Sequence, residues 1–188
     1  MRPPEAIYRV FREVGEDLFA QGLISATAGN FSLRAGEGFW ITKSGVRKNR
    51  LRPEDLLFAG LEPDEKRDRG ASVELVIHRE VYKKTDAGAI VHAHPRMTVA
   101  LSLHEEAIRP ADHEGRLVLG EVPVLRPKSV SASPEAARAV AEGLSRHPVV
   151  VLKGHGAFAR GRDLVEAYAR LTVLEEAAAI LFFAKLWG

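Results

Sequence analysis

Apolar residues between positions 3 and 21 recur three and four apart, with Ile7, Val10, Phe11, Val14 and Leu18 on one stripe. That is the spacing of an amphipathic helix built to cover a sheet. Pro3 opens it and Gly22 closes it, the positions where a fixed φ and a relaxed backbone help most. After a loop of small residues at 23–30, segments 31–34 and 39–42 read as two strands joined through Ala35-Gly36-Glu37-Gly38, a hairpin signal. Arg52-Pro53-Glu54-Asp55 turns the chain into a third strand at 56–61, and the polar stretch 62–70 is a surface loop. Ser72 is the expected N-cap of a helix running to about Lys84, with Val73, Val76, Ile77 and Val81 at helical spacing. A buried strand at 89–95, a helical turn from 96 to 103 and strands at 116–119 and 121–125 follow. Ser133-Pro134-Glu135 caps a helix to Leu144; strands at 149–152 and 157–160 flank a Gly-His-Gly loop, and a long helix fills 163–186. Hairpins mixed with helices, without regular βαβ alternation, predict an α/β layered domain with a largely antiparallel sheet, one domain over residues 1–188.

The chemistry concentrates in Ala89-Ile90-Val91-His92-Ala93-His94-Pro95. A strand points residues i and i+2 to one side, so His92 and His94 share a face with Cβ atoms roughly 6 to 7 Å apart, near enough to turn both rings onto one ion. His155 stands between glycines, after the apolar run Val149-Val150-Val151-Leu152. Three imidazoles with one position open make a catalytic zinc pattern. With no cysteine in the chain, nitrogen and oxygen must hold any metal.

Glu74, near the start of the Ser72 helix, is the candidate base. Its alternative is a surface carboxylate that complements the helix dipole. Thr27, Gly29 and Asn30 in one small-residue loop, Ser44 and Gly45 in another, and Ser72 suit backbone N–H groups converging on an anion.

Charge narrows the partners. Lys plus Arg number 27 against 25 for Asp plus Glu, a formal net charge of +2 with the signs interspersed, so nucleic acid is not the expected partner. The densest basic stretch, Lys43 to Arg52, has no aromatic residues interleaved and favours a small-anion site over a nucleic-acid patch. No run approaches the roughly 20 apolar residues needed to span a bilayer, and Met1-Arg2-Pro3-Pro4-Glu5 lacks the apolar core of a signal peptide. A cytoplasmic protein without membrane partners is expected. Arginine outnumbers lysine and Asn, Gln and Met are scarce, which points to a thermophile.

Taken in order, Thr27-Ala28-Gly29-Asn30-Phe31-Ser32, Thr42-Lys43-Ser44-Gly45-Val46, Arg52-Pro53-Glu54-Asp55, Ser72-Val73-Glu74, Val91-His92-Ala93-His94-Pro95 and Gly154-His155-Gly156 resemble the class II aldolase and adducin-head family from about Pro3 to Leu186. The resemblance implies a three-layer αβα sandwich, zinc on His92, His94 and His155, one per subunit, and Glu74 as catalytic acid/base. It implies that Asn30, Ser44, Gly45 and Ser72 help bind a substrate phosphate, and that the chain forms a homotetramer with sites at subunit interfaces. The implied activity is cleavage of a ketose phosphate, like fuculose 1-phosphate, to dihydroxyacetone phosphate and an aldehyde through a metal-stabilised enediolate.

Related activities are methylthioribulose-1-phosphate dehydratase, which shares the metal histidines, and pentulose-phosphate 4-epimerase, whose bearers tend to carry aspartate at the Glu74 position. Adducin heads, interaction modules of this fold, lack the histidine triad. This chain departs from the pattern in three places. Val73 stands where relatives often have a second serine, and Lys43 where proline is common. The tyrosine proton donors expected around Asp112-His113-Glu114 and in a C-terminal tail are not visible; His113 is a candidate in the first region, and the identity of the donor stays open.

Overall fold

The computed structural model describes residues 1–129 and 131–187. Helix α1 (Glu5–Ala20) precedes strands β1 (Asn30–Ala35) and β2 (Gly38–Thr42). Two 3-10 turns, Lys48–Arg50 and Pro53–Asp55, lead to β3 (Leu56–Gly60), α2 (Leu75–Lys84) and β4 (Ala89–Ala93). Then come α3 (Arg96–Ser102), β5 (Ala107–Ile108), α4 (His113–Val118) and β6 (Val122–Leu125). Helix α5 (Pro134–Arg146), β7 (Val149–Leu152), β8 (Gly156–Gly161) and α6 (Leu164–Trp187) complete the chain. The strands form one sheet in the order β3-β2-β1-β4-β8-β7-β6-β5, antiparallel at every step except β6 beside β7.

Both faces of the sheet are covered, which is why β2, β4 and β7 are buried at every position. On one face Phe11, Val14 and Leu18 of α1, Leu101 of α3 and Leu164, Leu171 and Leu174 of α6 pack against Phe31, Val91 and Val151. On the other, Leu75, Ile77 and Val81 of α2 and Val140 and Leu144 of α5 meet Ile90, Val150 and Phe158. Each large apolar side chain so enclosed contributes about 1.5 to 3 kcal/mol relative to exposure. The alternation along β4 is decisive: Val91 and Ala93 face the α1/α6 layer, so Ile90, His92 and His94 point to the α2/α5 side. The layered sandwich expected from the sequence is the fold observed. No helix of the described residues is long and apolar enough to cross a membrane.

Two local expectations are corrected. Residues 116–119 are not a strand: they lie in and just after α4, whose N-cap Asp112 accepts a hydrogen bond from the Gly115 amide at 2.6 Å. The cap outweighs the β signal of Leu117-Val118-Leu119, of which only Leu119 is buried. Ser72 does not cap α2, which starts at Leu75 with Glu74 in the N-cap position. Its hydroxyl instead accepts from the Glu74 amide at 3.3 Å and its carbonyl accepts from the Leu75 amide, a turn that leads into the helix. The two-residue strand β5 carries no sequence signal at all.

Candidate active site and metal centre

The site forms at one end of the sheet, where β4 leaves and β8 enters. The antiparallel register sets Asn30 directly opposite His92 on β1 and Phe158 opposite it on β8, and the Phe158 ring stacks on His92 with centroids 4.0 Å apart. His92 is fully buried and donates from Nδ1 to the Ala157 carbonyl at 2.9 Å, a bond that leaves Nε2 bare and aimed at the cluster. His94 Nε2 lies 2.9 Å from it. His155 arrives from the turn between β7 and β8, where Gly154 takes a φ of 68° and donates to Ser102 Oγ at 2.9 Å. The His155 ring lies parallel to that of His92, 5.0 Å away. One nitrogen from each of the three histidines falls within 4.8 Å of the others, so the residues fit a single metal ion. Burial holds His92 down at about 3 and lowers His94 as well, which keeps both rings in the neutral, ligating form. Gly156 makes the crowding possible, since a Cβ there would lie 2.7 Å from His94 Cδ2 and 2.9 Å from His92 Cε1.

Glu74 closes the cluster. Its Oε2 lies 3.2 Å from His92 Nε2 and its Oε1 3.2 Å from His155 Nε2. Burial alone would push the carboxyl up, but the imidazoles of His92 and His155 and the Asn30 amide outweigh it and hold it at about 2. Glu74 is therefore an ionised, buried carboxylate, 3% exposed, and not a solvated helix-end charge.

Behind it runs a chain of hydrogen bonds that the sequence reading missed. Asn30 Nδ2 donates to Glu74 Oε2 at 2.7 Å, and Asn30 Oδ1 lies 2.6 Å from His78 Nε2. His78 Nδ1 is 2.6 Å from Ser32 Oγ, which is 2.8 Å from the Tyr82 hydroxyl. An ionised carboxylate can only accept, and this fixes every direction. The Asn30 amide nitrogen faces Glu74, His78 carries its proton on Nε2, Ser32 donates to Nδ1, and Tyr82 donates to Ser32. A signal existed: Glu74, His78 and Tyr82 are spaced i, i+4, i+8 along one face of α2, and Asn30 and Ser32 share a face of β1.

Burial holds His78 down at about 4. The unfolded chain takes up this proton near pH 6.5 and the folded chain refuses it until about pH 4, so the stability from neutral His78 is complete above 6.5 and lost as pH falls toward 4. Urea unfolding of the metal-free protein should show a loss of about 3 kcal/mol from this group over that window. His78→Gln should flatten that part of the profile. An unchanged pH slope in the variant would contradict the assignment.

The cluster opens into a cleft of about 200 Å³. Thr27, Gly29 and Asn30 line one wall, Lys43, Ser44 and Gly45 a second, and Ser72, Val73 and Glu74 a third, with His94 and His155 at the metal end. All the site residues expected from sequence converge there except His92, which is buried behind its partners. Gly29 takes a φ of 73°, and a side chain there would come within 2.8 Å of the His92 carbonyl; only glycine lets that loop pass so close to β4. The Ser44 amide is already committed to the Gly70 carbonyl at 3.1 Å, which leaves its hydroxyl for a ligand. Val73 stands 63% exposed at the cleft, where a hydroxyl would have faced the ligand. His113 is exposed at the start of α4 and does not line the cleft. Lys48, which does line it, drew no separate notice in the sequence.

The chain is similar to known proteins. The Class II Aldolase and Adducin N-terminal domain family matches residues 9–182. The crystal structure of an L-fuculose-1-phosphate aldolase from Thermus thermophilus is 59% identical and superposes with a TM-score of 0.94, over 96% of this chain and 95% of that one. A methylthioribulose-1-phosphate dehydratase of Methylococcus capsulatus is 31% identical over 176 residues, 87% of this chain and 86% of that protein. A 5-methylthioribulose-1-phosphate/5-deoxyribulose-1-phosphate aldolase of Rhodospirillum rubrum is 33% identical over 166 residues, 84% and 72% of the respective chains.

Proposed function

Because the chain belongs to the class II aldolase and adducin N-terminal domain family, we propose that residues 1–188 form one such domain, a zinc-dependent aldolase. It cleaves a ketose phosphate of the fuculose 1-phosphate kind to dihydroxyacetone phosphate and an aldehyde. The observation that carries this reading is the convergence of the three histidines, Glu74 and the anion-binding loops on one cleft. His92, His94 and His155 would hold the zinc, which supplies Lewis-acid polarisation of the substrate oxygens. Glu74 is the acid/base. In the synthesis direction it takes a proton from the carbon of dihydroxyacetone phosphate that forms the new bond, and in cleavage it returns that proton to the same carbon. The Asn30 to Tyr82 chain holds the carboxylate in place, so that the proton moves at a fixed atom. Thr27, Gly29, Ser44, Gly45 and Ser72 receive the phosphate, aided by the second N–H of Asn30 Nδ2.

The Thermus thermophilus relative supports aldol cleavage and, with the arginine-rich composition, a heat-adapted source. The Methylococcus capsulatus relative keeps dehydration of a methylthioribulose phosphate as the second reading. A panel of ketose 1-phosphates separates them: release of dihydroxyacetone phosphate is expected, and water loss without carbon–carbon cleavage would favour the dehydratase. We place the enzyme in the cytoplasm as a homotetramer whose neighbouring subunits cover the clefts; the exposed Phe183, Leu186 and Trp187 at the end of α6 support self-association. Light scattering should give a particle of about four 20.6 kDa chains, and a fully active monomer would refute shared sites.

A further inference from the structure

Lys48 lies beneath this cleft and takes no part in the proton transfer or the metal site. It begins the first 3-10 turn and is 1% exposed. Its ammonium donates to the Thr27 carbonyl at 3.1 Å and to the Val46 carbonyl at 3.0 Å. One side chain thus ties together the loops that carry Thr27 to Asn30 and Ser44 to Gly45, two walls of the cleft. An ammonium has three donors, and two neutral carbonyls leave its charge uncompensated.

Among the described residues Lys48 forms no ion pair. Asp55 is the one carboxylate whose attraction it feels, and burial outweighs that attraction, holding the group down at about 8. The other charged or titratable side chains around the cleft are Lys43, Glu74, His94 and His155, and α1 meets Lys48 at Gly15, which carries none. A buried lysine without a partner is costly to keep. It stays favourable where a bound anion supplies the missing charge, and Lys48 is in the wall of a cleft where one can bind.

We propose that Lys48 is the counter-ion of the phosphate bound in this cleft, so that anion binding and full protonation of Lys48 accompany one another. The proposal rests on the sugar-phosphate reading above and adds which charge holds the phosphate. Lys43 also lines the cleft, but it is only half-buried and sits on one loop, whereas Lys48 joins two.

The test is a pH titration of the Lys48 side-chain nitrogen by NMR in the full-length, zinc-loaded protein, without and with saturating inorganic phosphate; the signal is identified by its loss in Lys48→Met. Phosphate should raise the Lys48 pKa by a unit or more. Lys48→Met should bind inorganic phosphate at least about tenfold more weakly at pH 7, and Lys43→Met should lose less. An unchanged Lys48 titration, a folded Lys48→Met that binds phosphate within twofold of wild type, or no phosphate binding by the wild type would each overturn the proposal. If Lys48→Met does not fold, the wild-type titration decides, with the signal assigned through bonds. Because the probe is phosphate alone, a coupled Lys48 in a protein that cleaves no ketose phosphate would refute the aldolase reading and leave this one standing.

Discussion

Glu74→Gln is expected to retain metal and fold while lowering turnover by about two to four orders of magnitude, the usual contribution of a positioned acid/base. The substitution is nearly isosteric, and the amide oxygen can still accept from Asn30 Nδ2, so the chain through His78, Ser32 and Tyr82 has no reason to rearrange. What disappears is the ionised carboxylate beside His92 and His155, the proton acceptor of the proposed reaction. The loss should fall on kcat, because in the proposed reaction Glu74 acts on the reacting carbon and not on the phosphate. Steady-state kinetics with metal analysis of the same preparation checks this, and turnover within a few-fold of wild type would remove Glu74 from the mechanism.

Removing one metal ligand should have a comparable or larger effect. His94→Ala and His155→Ala should each leave two imidazoles at the site, with metal stoichiometry falling from near one per chain toward zero and activity falling with it. These two variants are cleaner than His92→Ala. His92 is fully buried, and its loss would strand the Ala157 carbonyl at a cost of about 1 to 3 kcal/mol in addition to the chemistry. His94 and His155 are only half-buried, so thermal melting should shift little in the metal-free state. Full metal occupancy in either variant would mean that the ion is held elsewhere.

Much of this centre was legible because its residues sit where a simple period applies. The two-residue spacing of His92 and His94 put both rings on one face, and the glycines around His155 marked a loop between two strands; that this loop passes close to β4 is a finding of the structure. Glu74 was legible as a residue near a helix start, but its burial was not: that depends on α2 packing across β1 and β4, a long-range fact. His78 and Tyr82 shared a helix face with Glu74 and Ser32 a strand face with Asn30, but nothing in the sequence joined the two faces, since these residues become partners only when the helix meets the strand. Ser72 was misplaced as the cap because a turn before a helix and a cap on it use the same residue types. The segment 116–119 was read as a strand from its apolar run, where the deciding feature was a single side chain, Asp112, four residues earlier.

The most direct measurement is hydrogen exchange into dihydroxyacetone phosphate alone, in deuterated water, with the zinc-loaded protein and no aldehyde present. An aldolase that works through Glu74 must take and return a proton at the bond-forming carbon even without its second substrate. The wild type is expected to incorporate one deuterium at that carbon, with exchange lost on metal removal and slowed at least about a hundredfold in Glu74→Gln. No exchange by the metal-loaded wild type, or exchange at the wild-type rate in the variant, would contradict this mechanism.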